Sequence, residues 1–402
     1  MNRVVITGMG TVNALAQDVP GTFAAFKDGR CGIADVDIRD KHRLSIKIAA
    51  QVQNWAPEHH FDRQKMPLYD RFTQFALVSA RQAVAQSGLS FDGDLGLDTG
   101  VVLGTAGGGV GTSDDSYRAV YADGKNRVHP FVVPKLMHNA AASHLSIEFG
   151  LMGPGLTVAT ACASSNHAMG LALQAIRAGG AKVMLTGGSE AMLCFGGIKA
   201  WEGLRVMSHE GCRPFSLTRS GLVQGEGAAV FVFEDYDHAN ARGAEILAEV
   251  IGFAMTSDAS DIVMPSNHGA ARAMAKALAD AQINPEDVGY INAHGTGTAA
   301  NDKAECAAVT GVFGQYSRSV MISSTKSMHG HVIGGTGAVE LLACIMALRD
   351  GVIAPTIGYE KFDPDCALDV VPNVARDARV QVCLTNAFAF GGFNAVLVLR
   401  RA

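Results

Sequence analysis

The same order of elements runs through this chain twice, and that repetition limits the fold more than any single motif. The β-branched run Arg3–Thr7 is matched by Glu249–Phe253. The amphipathic helix pattern of Arg71–Ser87, a loop, and the strand Gly100–Leu103 opening into glycines are matched by Ala270–Gln282, the Asn284–Asp287 loop, and the strand Gly289–Asn292 ending in His294-Gly295-Thr296-Gly297-Thr298. The apolar run Leu156–Ala159, its small-residue turn and the helix to Arg177 are matched by Val320–Ser323, the turn Ser324–Gly330 and a helix from His331 through Leu348. Ala181–Thr186 parallels Gln381–Leu384, and Ala228–Phe233 parallels Asn394–Leu399. Element order repeats, not residue identity. The pattern predicts two similar α/β halves, 1–247 and 248–402, whose equivalent turns meet about a pseudo-two-fold axis.

Between these units the sequence predicts a helix over Gly21–Lys27, a loop over Gly88–Thr99, a loop-rich stretch over 111–140, irregular backbone over Gly203–Ser220 and a helix over Tyr236–Arg242. Gly8-Met9-Gly10 reads as a turn. Asn13 stands where a dinucleotide fingerprint needs its third glycine, so this is no nucleotide site.

A net charge of −5 offers no overall attraction to nucleic acid or an anionic membrane. The eight cysteines form no CxxC and no metal-like pairing with histidine, which points to reduced thiols in a cytoplasmic protein. No apolar run reaches the roughly 18 residues a membrane span needs, and the N-terminus lacks a secretory apolar region.

Chemistry concentrates at three strand ends, where α/β folds place ligands. Cys162 lies in Thr160-Ala161-Cys162-Ala163-Ser164-Ser165, between a strand and a helix, so the helix dipole favours a thiolate there. A cysteine in such a run is also a common core residue. His294 and His331 sit among glycines, serines and threonines at equivalent turns. A cysteine with histidines suits a hydrolase, but hydrolases orient their base with a carboxylate or amide. Two neutral imidazoles are suited instead to donating to one oxyanion, such as the enolate left by a decarboxylation. Lys326 and Glu340 would tune their protonation, or form a structural ion pair.

These stretches resemble a known family. TACASS around Cys162, NAHGTGT around His294, STKSMHGH around His331 and AFGGFN at 389–394 are similar to the β-ketoacyl–acyl carrier protein synthases, most closely the chain-elongating type II branch. The likeness runs from VVITGMG to the final strand. It implies the thiolase-like α/β fold, five layers built from two duplicated halves, and a homodimer. It implies Cys162 as acyl-accepting nucleophile, with the backbone N–H groups of Cys162 and Phe390 as oxyanion hole. His294 and His331 would stabilise the enolate from malonyl decarboxylation, with Lys326 and Glu340 in support. Phe390 would be the gate, and Thr296 and Thr298 would hold the phosphopantetheine arm of the carrier protein. No metal or redox cofactor is implied. Arg205 matches a docking position for the acidic carrier protein, while Lys65, Lys125 and Arg127 lie in neighbouring stretches and correspond less well.

The chain departs from the housekeeping pattern at His329, Phe393, Ala389 and Gly335-Thr336, changes expected to crowd the site turns, with Phe393 reshaping the pocket beside the gate. KAWEGLRVMS and SDASDIVMPS look more like accessory synthases of the nodulation-factor and aryl-polyene types. The expectation is a specialised condensing enzyme; a housekeeping elongation synthase, or a chain-length-shaping partner subunit of a ketosynthase heterodimer, is the alternative. A degradative thiolase would need a second cysteine near 386–392, where none stands.

Overall fold

The computed structural model describes residues 1–402. Its main sheet has ten strands: β1 (Val4–Asn13), β2 (Thr99–Gly104), β3 (Gly155–Val158), β4 (Val183–Glu190), β5 (Gly227–Asp235), β6 (Ala248–Ser257), β7 (Tyr290–Asn292), β8 (Met321–Ser323), β9 (Val382–Ala389) and β10 (Phe393–Arg400). Their order in space is β8-β7-β9-β10-β6-β1-β5-β4-β2-β3. Read outward from the centre, β1 answers to β6, β5 to β10, β4 to β9, β2 to β7 and β3 to β8. Pairing directions obey the same symmetry: β2–β3 and β2–β4 are parallel, as are β7–β8 and β7–β9. The two sets of strands join through Val4–Val250, Val5–Glu249 and Ile6–Ala248 on β1 and β6.

The longer helices are α1 (Val19–Asp28), α2 (Arg71–Ser87), α3 (Val110–Tyr121), α4 (Ala140–Phe149), α5 (Ser164–Arg177), α6 (Phe195–Gly203), α7 (Asn267–Ala281), α8 (Ala299–Phe313) and α9 (Thr336–Asp350). Side-chain alternation along the strands sorts them into layers. On β5, Phe231 and Phe233 face inward with α5 and α9, while Val230 and Val232 face outward against α2 and α4. On β10, Leu397 and Leu399 face the same central helices, and Val396 and Val398 face α7 and α8. Five layers result, with α5 and α9 sandwiched in the middle. That position explains why α9 is buried from Thr336 through Leu348.

Several local expectations are corrected. Gly8-Met9-Gly10 does not turn: β1 continues through it, with a register shift between Ile6 and Gly8. The glycines let α2 approach, since a Cβ on Gly8 would lie 2.0 Å from the Ala83 carbonyl oxygen. Leu156 belongs to an edge strand and is 43% exposed, not buried. Residues 111–140, read as loop, carry most of α3 and a helical turn at Val132–Leu136. Ser324–Gly330 contains a helical turn, Lys326–His329, and α9 begins at Thr336, after a 3-10 turn at Ile333–Gly335.

Candidate active site

The Cys162 turn is built by strain and by one hydroxyl. Ala161 holds φ 48°, an uncommon conformation for a residue with a side chain, and a 3-10 turn over Ala161–Ala163 leads into α5. Ser164 Oγ donates to the Ala161 carbonyl at 2.7 Å and accepts from the Thr160 N–H at 2.9 Å, fixing that turn. Cys162 is buried at its tip. Burial pushes its thiol up to about 11, against the pull of the Lys326 charge and of the Phe390 and Cys162 backbone N–H groups. Desolvation therefore opposes the helix-end effect anticipated from sequence.

The histidine turns come from the other half. His294 follows β7, and its N–H and that of Gly295 donate to Glu305 on α8 at 2.8 and 2.7 Å. Lys326 donates to the His294 carbonyl and, at 2.6 Å, to Glu340 on α9. His331 Nδ1 accepts the N–H of Ile333 at 3.2 Å, which places the ring proton on Nε2. Nε2 is buried without a protein partner. Ile333 itself holds φ 47°, unusual for a β-branched residue, and this aims its N–H at the ring. Burial, then the Lys326 charge, holds both imidazoles well below their ordinary 6.5, so both are neutral. Burial also pushes Glu340 up, to about 7, with Lys326 pulling it back.

One atom each of Cys162, His294 and His331 lies within 4.8 Å of the others, and the two imidazole rings stand edge to face at 5.5 Å. This residue set has the composition of a zinc site. The proton on His331 Nε2 makes that atom a donor, so the three groups suit an anion better than a cation. They line a cavity of about 130 Å³ together with Thr296, Thr298, Phe390 and Trp201. Trp201, on α6, stacks on Phe390 at 5.8 Å and 24°. The turn after Phe390 uses Gly391 and Gly392 at φ 83° and 71°, and is tied to residues 258–266 by Gly391 N–H to the Ile262 carbonyl and Asp258 N–H to the Gly392 carbonyl, both 2.8 Å.

Thus Cys162, His294, His331, Thr296, Thr298 and Phe390 converge, with Lys326 and Glu340 directly behind them. Phe393 does not join them. It begins β10, is 41% exposed and is not part of the cavity wall, whereas its neighbour Asn394 is. His329 is buried away from the cavity, bonded to Thr325 Oγ1 at 2.9 Å and to the Gly330 carbonyl at 2.8 Å. Arg205 is exposed beside Val206, a cavity residue, whereas Lys65, Lys125 and Arg127 are exposed on other segments. Sequence reasoning missed Trp201 and the buried carboxylates Glu305 and Glu190. Glu190 accepts the N–H groups of Ala106, Gly107 and Gly334, and so ties the β2 turn to the His331 turn.

A buried thiol facing two neutral imidazoles, with two backbone N–H groups at the sulphur, can take an acyl group covalently and hold an oxyanion. Comparison with known proteins agrees. Residues 1–239 match the model of the beta-ketoacyl synthase N-terminal domain and residues 247–360 that of its C-terminal domain. The chain is 47% identical over 399 residues to nodulation protein E of a Rhizobium species, covering 99% of each. It is 38% identical over 406 residues to 3-oxoacyl-[acyl-carrier-protein] synthase 2 of Staphylococcus aureus, covering 99% of this chain and 98% of that one. The solved ishigamide ketosynthase/chain length factor superposes with a TM-score of 0.95 at 34% identity, over 100% of this chain and 99% of that one.

Proposed function

The chain belongs to the β-ketoacyl synthase family of condensing acyltransferases, and we propose that Cys162, His294 and His331 divide its reaction between them. The observation that carries this reading is their convergence within 4.8 Å from three different turns, in the lining of a cavity that Trp201 and Phe390 share.

In the first step an acyl thioester on the phosphopantetheine of a carrier protein enters, its arm held by Thr296 and Thr298. Cys162 sulphur bonds to the carbonyl carbon while the backbone N–H groups of Cys162 and Phe390 receive the oxyanion. The carrier thiol departs with the proton. In the second step a malonyl thioester loses CO₂, and the electron pair left on its α-carbon is delocalised into an enolate held by N–H donors of His294 and His331. That carbon attacks the acyl group, a C–C bond forms, the C–S bond to Cys162 breaks, and the Cys162 thiolate takes up a proton from solvent. The product is two carbons longer. The sequence balances without electron transfer, so the reading requires no redox cofactor.

Arg205, beside the cavity mouth, is the first docking contact for the acidic carrier protein in this reading. Residues 1–247 and 248–402 are the duplicated halves. A second chain, the same or a related ketosynthase, would cover the unpaired edge of β3, where Leu156, Ile147 and Met152 are exposed. No helix is long and apolar enough to cross a membrane. The eight unpaired cysteines suit the reducing cytoplasm. Higher identity to nodulation protein E than to the synthase 2 relative supports a specialised chain-building role over housekeeping elongation.

The test is mass spectrometry after incubation with a panel of acyl carrier proteins. One acyl adduct in the wild type, absent from Cys162→Ala, supports the reading and identifies the preferred chain. No adduct with any donor refutes it and favours a non-catalytic shaping subunit.

A further inference from the structure

Thr336 stands where the sequence departs from a small-residue pair, and nothing in the condensation just described uses it. It opens α9, is 1% exposed, and its Oγ1 lies 2.8 Å from His331 Nδ1. The hydroxyl makes no other hydrogen bond. Nδ1 already accepts the Ile333 N–H, which likewise has no other acceptor. If Nδ1 carried the proton, the Ile333 N–H would be buried and unpaired. With Nδ1 as acceptor, the hydroxyl proton also points at it, and both donors are satisfied.

The repeat supports this reading of the hydroxyl. The 3-10 turn Ile333–Gly335 answers to Ala161–Ala163, the strained Ile333 to Ala161, and Thr336 to Ser164. Ser164 ties the nucleophile turn back through its hydroxyl, and Thr336 does so for the histidine turn. One turn further along α9, on the same face, Glu340 meets Lys326. Gly337 permits the seating of the helix, since a Cβ there would lie 1.8 Å from Asn166 Oδ1.

We propose that Thr336 is a positioning residue for malonyl decarboxylation: its hydroxyl, with the Ile333 N–H, locks His331 in the tautomer that presents Nε2–H to the reacting oxygen. The proposal rests on the enolate-stabilising role given to His331 above. Thr336→Val keeps the shape and removes the donor; Thr336→Ser restores it. Nitrogen-15 NMR of ring-labelled histidine, with His331 assigned by its absence in His331→Ala, reads the tautomer without substrate. The expected result is an Nε2–H signature in wild type and Thr336→Ser, and a tautomer mixture in Thr336→Val. In kinetics, Thr336→Val should slow malonyl-carrier decarboxylation by about tenfold at unchanged KM, the size of one lost hydrogen bond, with acyl loading of Cys162 unchanged and Thr336→Ser near wild type. Retained acyl loading also shows that the variant is folded; should Thr336→Val not fold, Thr336→Ala takes its place in both readouts. A pure Nε2–H signal in the hydroxyl-less variant overturns the proposal. An altered tautomer with unchanged decarboxylation refutes the enolate role of His331 instead, so the two failures are distinguishable.

Discussion

Lys326 and Glu340 meet at 2.6 Å with neither side chain exposed, directly behind the two histidines. Removing one partner strands the other as a buried charge. Lys326→Met should therefore lower unfolding stability by about 3–5 kcal/mol, and Lys326→Met/Glu340→Leu should recover most of that loss, measured by urea or thermal unfolding. The positive charge of Lys326 also helps to hold His294 and His331 below their ordinary range. In the double variant both should rise, so malonyl decarboxylation should lose activity on acidification at a higher pH than in the wild type.

In the proposed mechanism Cys162 and the histidine pair act in different steps, so their variants should separate. Cys162→Ala should take up no acyl group yet still release CO₂ from a malonyl carrier thioester. His294→Ala and His331→Ala should load acyl groups but lose decarboxylation by at least about a hundredfold, the scale of a lost oxyanion donor. Radiolabelled CO₂ release beside intact-protein mass measures both.

Trp201 braces Phe390 by stacking on it. Trp201→Ala should change the relative kcat/KM for long against short acyl donors by about two- to tenfold, the worth of one aromatic pair, with the cavity widened in favour of the longer chain. Competition between acyl carrier donors reads this directly. Phe393→Thr is the contrasting case: exposed and off the cavity wall, it should leave chain preference unchanged within about twofold, since surface changes of this kind are nearly neutral.

His329 is neutral in the fold, where burial holds it down at about 3, but takes up a proton in the unfolded chain below 6.5. Its contribution to stability is present above 6.5 and is lost as pH falls from there toward 3. His329→Thr should therefore reduce the fall in unfolding free energy between pH 6.5 and 5 by up to about 1.4 kcal/mol per pH unit. Glu190 and Glu340, both pushed up by burial, act in the opposite direction in either protein and cancel in the comparison.

The turns that hold chemistry were legible because small residues cannot fill a core: Ala161 to Ser165 and Gly295 to Thr298 mark where strands stop and a ligand has room. The duplication was legible from the spacing of apolar runs, and the strand order repeats it. The carboxylates behind the site were not, because Asp302 and Glu305 on α8 look like solvent-facing charges until the preceding loop turns its N–H groups onto them. α3 buries no residue completely: of its apolar side chains, Tyr117, Val120 and Tyr121 are exposed, and the run is interrupted by Ser113, Asp114 and Asp115, so the pattern reads as loop. Gly8 and Gly10 were misread because a glycine that admits a neighbouring helix has the same letter as one that turns the chain.

The order of the sheet has a last consequence, for the history of each molecule. Cys162 stands after β3 and His294, His331 and Phe390 after β7, β8 and β9, and α5 and α9 share one apolar interior. No fragment that emerges early from the ribosome holds a competent centre, and contacts so distant along the chain form slowly. In the proposed mechanism the centre is complete only once the final hairpin of β9 and β10 is in place, so acyl loading would double as a report that the whole chain is native.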